Sequence, residues 1–525
     1  MFERWFDRLP KLSSLILGVL AATGFPPLKI WPLAVLAMGL AAYHVMRAPS
    51  WKAATLRGWL FGIGHFTFTN TWIATAFTHQ SDMPEFLGWV AVPLLSLYLA
   101  VYPAMAAGAA KLLVRDESKA LAFIVAFAGC WIITEWLRSW MFTGYAWGPF
   151  SLTLLGPDDR PGLAMLLPWF GTYALSGFAV LLSGLCIWAY STKTKVAMGL
   201  APLALIATMT FPWPKGEEGT QPYVVVQPDL DQDELNDPRE YEPAFITLTE
   251  LSQRRSSDAG GLEGKRLVFW PESGLPDYLR EGYPQRYYAA TTAAGDPSYA
   301  KRRIGAMLSA NSVLLTGAVD LEIRNNRAVG AYNVITALDE QGHIIGSYRK
   351  SHLVPYGEYL PMRQILEPLG LSRLVAGTID FWEGPGARTL DLGEYGKVGN
   401  QICYEIVFSG EVVDPGNRPD FIFNPSNDGW FGAFGPPQHF AQARMRAIEE
   451  GLPVVRATTT GISGVIDANG VVRASLGMRE QDRLTGFIPP ANPPTLFAML
   501  GNWLVLVWAI VFLALSVVAM RWRRG

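Results

Sequence analysis

The sequence predicts a polytopic α-helical membrane domain joined to an α/β domain, and three observations carry that expectation. Apolar stretches of membrane length follow one another up to about Pro214. From about Thr220 to Pro489 the chain turns polar, and short β-rich runs alternate with helical patterns. One more apolar run, Leu496 to Met520, is closed by Arg521, Arg523 and Arg524. Composition agrees: with 525 residues, 50% of them hydrophobic and 17% charged, the chain exceeds one globular domain and has the balance of a membrane protein. A net charge of -2 argues against a nucleic-acid partner, and three cysteines cannot build a disulfide framework.

Crossing a hydrocarbon core of roughly 30 Å takes about 20 residues of helix. Residues 1–214 offer seven such stretches, approximately Leu9 to Phe25, Ile30 to Met46, Leu56 to Phe77, Phe86 to Leu113, Ala120 to Trp140, Leu163 to Tyr190 and Val196 to Phe211. Lys and Arg collect on the cytoplasmic side of membrane proteins. Here Arg4, Arg8 and Lys11 precede the first stretch, and Arg47, Lys52 and Arg57 follow the second. Lys111, Arg115 and Lys119 follow the fourth, and Lys193 and Lys195 the sixth. By contrast, His79 to Glu85 holds no Lys or Arg, and the first alternate loop holds only Lys29. The N-terminus is therefore expected inside, residues 220–489 outside, and residues 496–520 as an eighth span returning to the cytoplasm. Apolar spans continue after the first, so the start is not expected to be a cleaved signal peptide.

In the outer region, β-rich runs fall at Tyr223 to Gln227, Arg266 to Trp270, Ser312 to Val319, Lys397 to Cys403, Asp420 to Phe423 and Pro453 to Ala457. Ala331 to Tyr348 reads as a hairpin turning at Glu340-Gln341-Gly342, and Gln232 to Asp258 as charged surface helix. Strands alternating with helices, plus hairpins, imply a layered α/β domain.

Three side chains in this region could carry chemistry. Cys403 is its lone thiol, because Cys130 and Cys186 lie in apolar stretches. It closes a strand-like run at what reads as a sharp turn, where a nucleophile is accessible and backbone N–H groups can hold an oxyanion. A buried core cysteine is the competing reading. Glu272, in Phe269-Trp270-Pro271-Glu272-Ser273-Gly274, follows an apolar strand and would be partly desolvated, hence a better base at neutral pH. A turn residue or helix cap is the alternative there. Lys350 closes the hairpin strand and could equally be an exposed lysine. The three complement one another: a thiol with an ordinary pKa of about 8.5 needs a base or a cation to react at neutral pH. Glu272 can take the proton, and Lys350 can stabilise both thiolate and oxyanion.

The set Trp270-Pro271-Glu272-Ser273, Arg349-Lys350-Ser351-His352-Leu353-Val354-Pro355-Tyr356-Gly357-Glu358-Tyr359 and Cys403-Tyr404-Glu405 resembles the Glu-Lys-Cys triad of the carbon–nitrogen hydrolase (nitrilase) superfamily. Placed between seven spans and one, it is similar over essentially the whole chain to the apolipoprotein N-acyltransferase family. So is Trp136 to Trp147, with Tyr145-Ala146 in place of the more usual Phe-Pro. The resemblance implies a nitrilase-like αββα sandwich facing the outer leaflet of a bacterial inner membrane, with no cofactor. It implies that Cys403 attacks the sn-1 ester of a phospholipid such as phosphatidylethanolamine, giving a thioester. The acyl group then passes to the amine of a diacylglyceryl-cysteine at an apolipoprotein N-terminus. Glu272 would act as base and then acid, Lys350 as oxyanion stabiliser and Glu358 as a polar orienter. Tyr404 and Glu405 would flank the nucleophile, Tyr404 lending its N–H to the oxyanion. A membrane-tethered amidase or nitrilase-type hydrolase, or a catalytically inactive binding protein, are the alternatives. Relatives often carry a Trp in the stretch corresponding to Gln227 to Asn236, and this chain has none there.

Other features lead to plainer expectations. Trp140, Trp147, Phe150 and Trp169 read as interfacial belt residues. Glu135 and Arg138 read as an i,i+3 ion pair. His352 and His439 have no neighbouring Asp or Asn motif that singles them out, and no cluster has metal-ligand or nucleotide-loop spacing. The Gly-, Pro- and aromatic-rich loops Pro355 to Arg373 and Asn427 to Gln438 are expected to gate the site.

Overall fold

In lipid a backbone can satisfy its own polar groups only as helix or closed barrel, so the long apolar stretches fold as helices. The structure, a computed structural model, describes residues 6, 8–79, 84–191, 195–214, 216–369 and 379–521. Its N-terminal part is built from α1 (Pro10–Ala22), α2 (Trp31–Met46), α3 (Trp51–Thr69), α4 (Phe86–Leu113), α5 (Ala120–Trp140), α6 (Leu163–Tyr190) and α7 (Lys195–Thr210). Among the described residues, α4, α5, α6 and Trp503–Arg521 are long and apolar enough to cross a membrane, while α1 and α2 are shorter apolar helices. Gly18 and Gly64 let α1 and α3 cross backbone to backbone: a Cβ on Gly18 would lie 2.0 Å from the Phe61 carbonyl oxygen, and one on Gly64 2.2 Å from that of Leu15. The stretch expected as one span from Leu56 to Phe77 breaks at buried Asn70, whose side chain accepts a hydrogen bond from Tyr145 (2.8 Å). Arg4, Lys193, Arg523 and Arg524, and parts of the loops His79 to Glu85 and Pro355 to Arg373, lie outside the described residues.

Among the described residues, the polar domain contains two six-stranded sheets. The strands are β1 (Gln221–Gln227), β2 (Arg266–Phe269), β3 (Ser312–Arg324), β4 (Arg327–Leu338), β5 (Ile344–Arg349), β6 (Thr389–Asp391), β7 (Lys397–Asn400), β8 (Phe421–Ser426), β9 (Val454–Thr458), β10 (Ser463–Ile466), β11 (Val472–Leu476) and β12 (Asp482–Ile488). One sheet runs β12-β1-β2-β3-β4-β5 and the other β11-β10-β9-β8-β7-β6. Parallel pairs occupy the middle of each, β1 to β3 and β7 to β9, with antiparallel strands at the flanks. Side chains alternate along a strand, and that alternation builds the layers. Tyr223 and Val225 point into the core between the sheets, whereas Val224 and Val226 pack under α8 (Tyr241–Ser252) and α9 (Pro297–Met307). Phe269 meets Phe423 across the interface at 4.8 Å.

The second sheet is covered by α10 (Gly435–Glu450), completing an αββα sandwich. This helix is buried along both faces. Phe440, Ala443 and Ala447 pack toward the sheet, while Ala441, Met445 and Ile448 belong to the apolar cluster of the membrane helices. Two stripes at helical spacing let one element serve two cores. Polar side chains reinforce the junction. Thr172, just after the break in α6 at Gly171, donates through its N–H (2.5 Å) and hydroxyl (2.6 Å) to Glu449, and Arg444 donates to the carbonyls of Gly156, Pro157 and Arg160. The chain leaves the domain through α11 (Trp503–Arg521).

Several expectations are corrected here. The expected strand Lys397 to Cys403 ends at Asn400, and Cys403 opens a short 3-10 turn. β3 continues to Arg324, and β6 and β10 to β12 fall where no strand was expected; in β6, β11 and β12 polar residues mask the alternation. Trp147 and Phe150 are not belt residues: both are 1% exposed, because their loop folds inward. Arg138 holds it there, donating to the carbonyls of Tyr145 and Trp147 (2.8 Å each), while Glu135 accepts from the Phe150 N–H (2.9 Å). The i,i+3 ion pair expected of Glu135 and Arg138 is present at 4.0 Å, and both side chains also pin this loop.

Candidate active site

Ligand sites of parallel α/β sheets form beyond the carboxyl ends of the strands, and the candidate residues gather there. Glu272 follows β2, Lys350 follows β5 and Cys403 follows β7. Lys350 Nζ lies 3.0 Å from Glu358 Oε1 and 3.5 Å from Glu272 Oε1, so one ammonium serves both carboxylates. It is 1% exposed, not the surface lysine of the alternative reading. Burial opposes its charge, but Glu358 and Glu272 outweigh that and hold its pKa well above the ordinary value.

Neighbouring amides fix the two carboxylates. Asn333 Nδ2 donates to Glu272 Oε1 (2.8 Å) and to Glu358 Oε1 (3.1 Å), the Asn427 N–H donates to Glu272 Oε2 (2.8 Å), and the Val354 N–H to Glu358 Oε2 (2.8 Å). Gly317 on β3 makes room for this arrangement: a Cβ there would lie 2.0 Å from the Glu272 carbonyl oxygen.

Cys403 is buried and has φ of +50°, in the left-handed region. Burial pushes its thiol well up, the Glu272 carboxylate pushes it further, and Lys350 opposes both. Attack by this sulfur therefore calls for a neighbouring base to take its proton. Tyr404 is buried and stacks edge-on against Phe408 at 5.1 Å. Glu405 ties the turn to the Lys350 loop: its Oε2 accepts from the Ile402 N–H (2.7 Å), and its Oε1 from Tyr348 Oη (2.7 Å) and the Ser351 N–H (2.6 Å). Glu272, Lys350, Glu358 and Cys403 thus lie within electrostatic reach of one another and Glu405 ties the turn to them, while the Tyr404 side chain packs against Phe408.

Sequence reasoning missed Asn333, which stands in a β-rich hairpin, and Asn427 and Asp428, which follow β8 as Glu272 follows β2. It also set aside His439, whose Nε2 lies 3.0 Å from the Cys403 carbonyl oxygen. The available signal was a cluster of polar residues, Asn424 and Ser426 to Asp428, directly after the apolar run Phe421 to Phe423. The loop Asn427 to Gln438 meets the membrane part of the chain, with Phe431 4.9 Å from Trp72 and 5.6 Å from Trp147. Gln227, in the stretch without the family Trp, links β1 to the other sheet, accepting from Thr458 Oγ1 (3.1 Å) and the Ser463 N–H (3.0 Å).

The sequence has relatives among known proteins. Residues 17–185 match the apolipoprotein N-acyltransferase N-terminal domain, and residues 239–491 match the carbon–nitrogen hydrolase family. An apolipoprotein N-acyltransferase of Rhodopseudomonas palustris is 32% identical, covering 97% of this chain and 95% of its own length. That of Bradyrhizobium diazoefficiens is 32% identical, with 98% and 95% covered, and that of Rickettsia prowazekii 29%, with 96% and 97% covered. Among solved structures, a nitrilase-superfamily amidase from Nesterenkonia aligns with 53% of this chain and 92% of its own at 16% identity and a TM-score of 0.35. Similarity that runs through both the apolar helices and the sandwich, at that identity, means that the chain belongs to the apolipoprotein N-acyltransferase family.

Proposed function

We propose that this protein moves an acyl chain from the sn-1 position of a phospholipid, through a thioester on Cys403, to the N-terminal amine of the diacylglyceryl-cysteine of an apolipoprotein. The observation that carries the reading is a buried thiol coupled to Glu272 and Lys350 in a sandwich that α10 fastens to apolar helices. A hydrolase of soluble amides gains nothing from that attachment. An enzyme whose two substrates are both lipid-anchored needs its nucleophile at the bilayer surface.

In the first half-reaction Glu272 takes the Cys403 proton as Sγ attacks the ester carbonyl. Lys350 and the Tyr404 N–H hold the oxyanion. Collapse breaks the ester C–O bond, and Glu272 returns the proton to the departing glycerol oxygen, releasing a lysophospholipid. In the second, the lipoprotein amine attacks the thioester, Glu272 accepts its proton, and collapse expels the Cys403 sulfur, which is reprotonated. Glu358 orients Lys350, and Glu405 braces the turn that carries the nucleophile. No cofactor or metal enters. In the membrane, residues 1–214 supply seven spans and residues 496–520 an eighth. Both termini then lie in the cytoplasm, and the catalytic residues 220–489 lie on the periplasmic side of the inner membrane, in keeping with the Lys and Arg distribution.

The acceptor distinguishes transfer from hydrolysis. With phosphatidylethanolamine labelled in its sn-1 chain, the label is expected to reach a diacylglyceryl lipopeptide with a free amine and to bypass its N-acetylated form. Equal release as free fatty acid with either peptide would contradict the transferase. A second expectation concerns the base. Gly317→Ala forces the Glu272 backbone away, and misplacement of about 1 Å can cost about 10²-fold in rate. Single-turnover acylation of Gly317→Ala should fall by that order, and a wild-type rate would show that the position of Glu272 does not matter.

A further inference from the structure

A second buried polar network reaches the nucleophile from α10. His439 Nε2 lies 3.0 Å from the Cys403 carbonyl oxygen, which can only accept, so Nε2 carries the hydrogen. On the other side of the ring, Arg456 Nη2 lies 3.0 Å from Nδ1 and donates to both oxygens of Asp428 (2.9 and 2.8 Å). Asp428 Oδ1, itself 3.0 Å from Nδ1, also accepts from Ser426 Oγ (2.6 Å). Burial first and the Arg456 charge second lower the His439 pKa, while the Asp428 carboxylate beside Nδ1 opposes them. None of the four side chains reaches solvent appreciably. Burying an ion pair costs several kcal/mol per ion before the charges attract each other, so stability alone is a poor reason to keep one here.

What the network grips is a strained turn. The left-handed conformation of Cys403 costs an L-residue about 1–2 kcal/mol, so it persists only where surrounding contacts impose it. The peptide joining Cys403 to Tyr404 is planar, with its C=O and N–H pointing in opposite directions. Fixing the Cys403 oxygen therefore aims the Tyr404 N–H. We propose that His439, seated by Arg456 and Asp428, is a positioning residue whose Nε2–H holds the Cys403 carbonyl so that the Tyr404 N–H faces the oxyanion of both tetrahedral intermediates. This rests on Cys403 being the nucleophile. His439 also packs against Trp147 at 5.2 Å, so the loop pinned by Arg138 backs the same ring and links the oxyanion donor to the membrane helices.

The test compares two variants of the full-length protein in phosphatidylethanolamine nanodiscs. His439→Gln keeps an N–H donor that reaches the carbonyl, and His439→Met fills similar space without one. Two reactions of Cys403 are timed: single-turnover acylation, which passes through an oxyanion, and alkylation by iodoacetamide, which does not. Losing one oxyanion donor costs about 10²–10³-fold. His439→Met should lose that much acylation with alkylation unchanged, and His439→Gln should recover most of it. Should His439→Met fail to accumulate, His439→Asn, whose amide stops short of the carbonyl, takes its place. Equal loss of acylation and alkylation, equal impairment of the Gln and Met variants, or wild-type acylation by His439→Met would each overturn the proposal. If the unmodified protein forms no lipid adduct while iodoacetamide still labels Cys403, the nucleophile assignment fails, and the role of His439 with it.

Discussion

Lys350→Met should slow acylation of Cys403 by about 10²–10³-fold or more, the cost of losing one oxyanion stabiliser, and should also destabilise the domain. Both effects come from one ammonium that lies within 3.5 Å of Glu272 and 3.0 Å of Glu358 with almost no solvent contact. Removing one partner of a buried ion pair typically costs about 3–5 kcal/mol, because the remaining charge is left uncompensated. Here two carboxylates are left without the cation between them. Single-turnover acylation and thermal unfolding in the same detergent check the two effects separately. Wild-type acylation in a destabilised protein would reduce Lys350 to a structural cation.

Glu272→Gln should lower acylation by about 10²–10⁴-fold, the usual contribution of a general base. The amide keeps an oxygen for the Asn427 N–H, but its NH2 then faces two donors, Asn333 Nδ2 and Lys350 Nζ, so some loss of stability accompanies the loss of rate, and thermal unfolding measures it. The thiol supplies a sharper sign. Burial raises the Cys403 pKa first and the Glu272 charge second, so removing that charge lowers it. The pH profile of iodoacetamide alkylation should therefore shift to lower pH in Glu272→Gln even as acylation falls. A thiol that becomes easier to ionise yet reacts more slowly with lipid separates proton transfer from nucleophile acidity. A shift to higher pH would mean that the Glu272 charge does not hold the thiol pKa up and would contradict this coupling.

How far the sequence could be read follows from where each residue gets its meaning. Glu272, Lys350 and Cys403 were legible because each sits in a local motif at the end of an apolar strand and each carries chemistry by type. Glu358, Tyr404 and Glu405 came only with the family resemblance. Asn333, Asp428, His439 and Arg456 were not legible, since their partners lie on other strands or helices. His439 is 36 residues from the carbonyl it holds and 17 from the arginine behind it. The two sheets were visible at the parallel strands β1, β2, β3, β7, β8 and β9, and at the β4–β5 hairpin through its turn. The flanking strands β6, β11 and β12 are partly exposed and polar, so they carry no clear alternation. Trp147 and Phe150 misled because an aromatic residue near a helix end suits a membrane interface as well as a core. What turned them inward was Arg138, seven residues before the Tyr145 carbonyl it binds. The double role of α10 was hidden for a related reason: two apolar stripes on one helix read as simple burial until both neighbouring cores are known.

The central claim is that Cys403 carries the acyl chain between two lipid-anchored substrates, and intact-protein mass spectrometry tests it most directly. Purified protein is mixed with phosphatidylethanolamine, weighed, then weighed again after addition of a diacylglyceryl lipopeptide with a free amine. The account predicts a mass increase of one acyl chain that is absent from Cys403→Ala, persists in water, and disappears as the lipopeptide gains the same mass. An adduct that forms in Cys403→Ala, or that decays as fast in water as with lipopeptide, would contradict it.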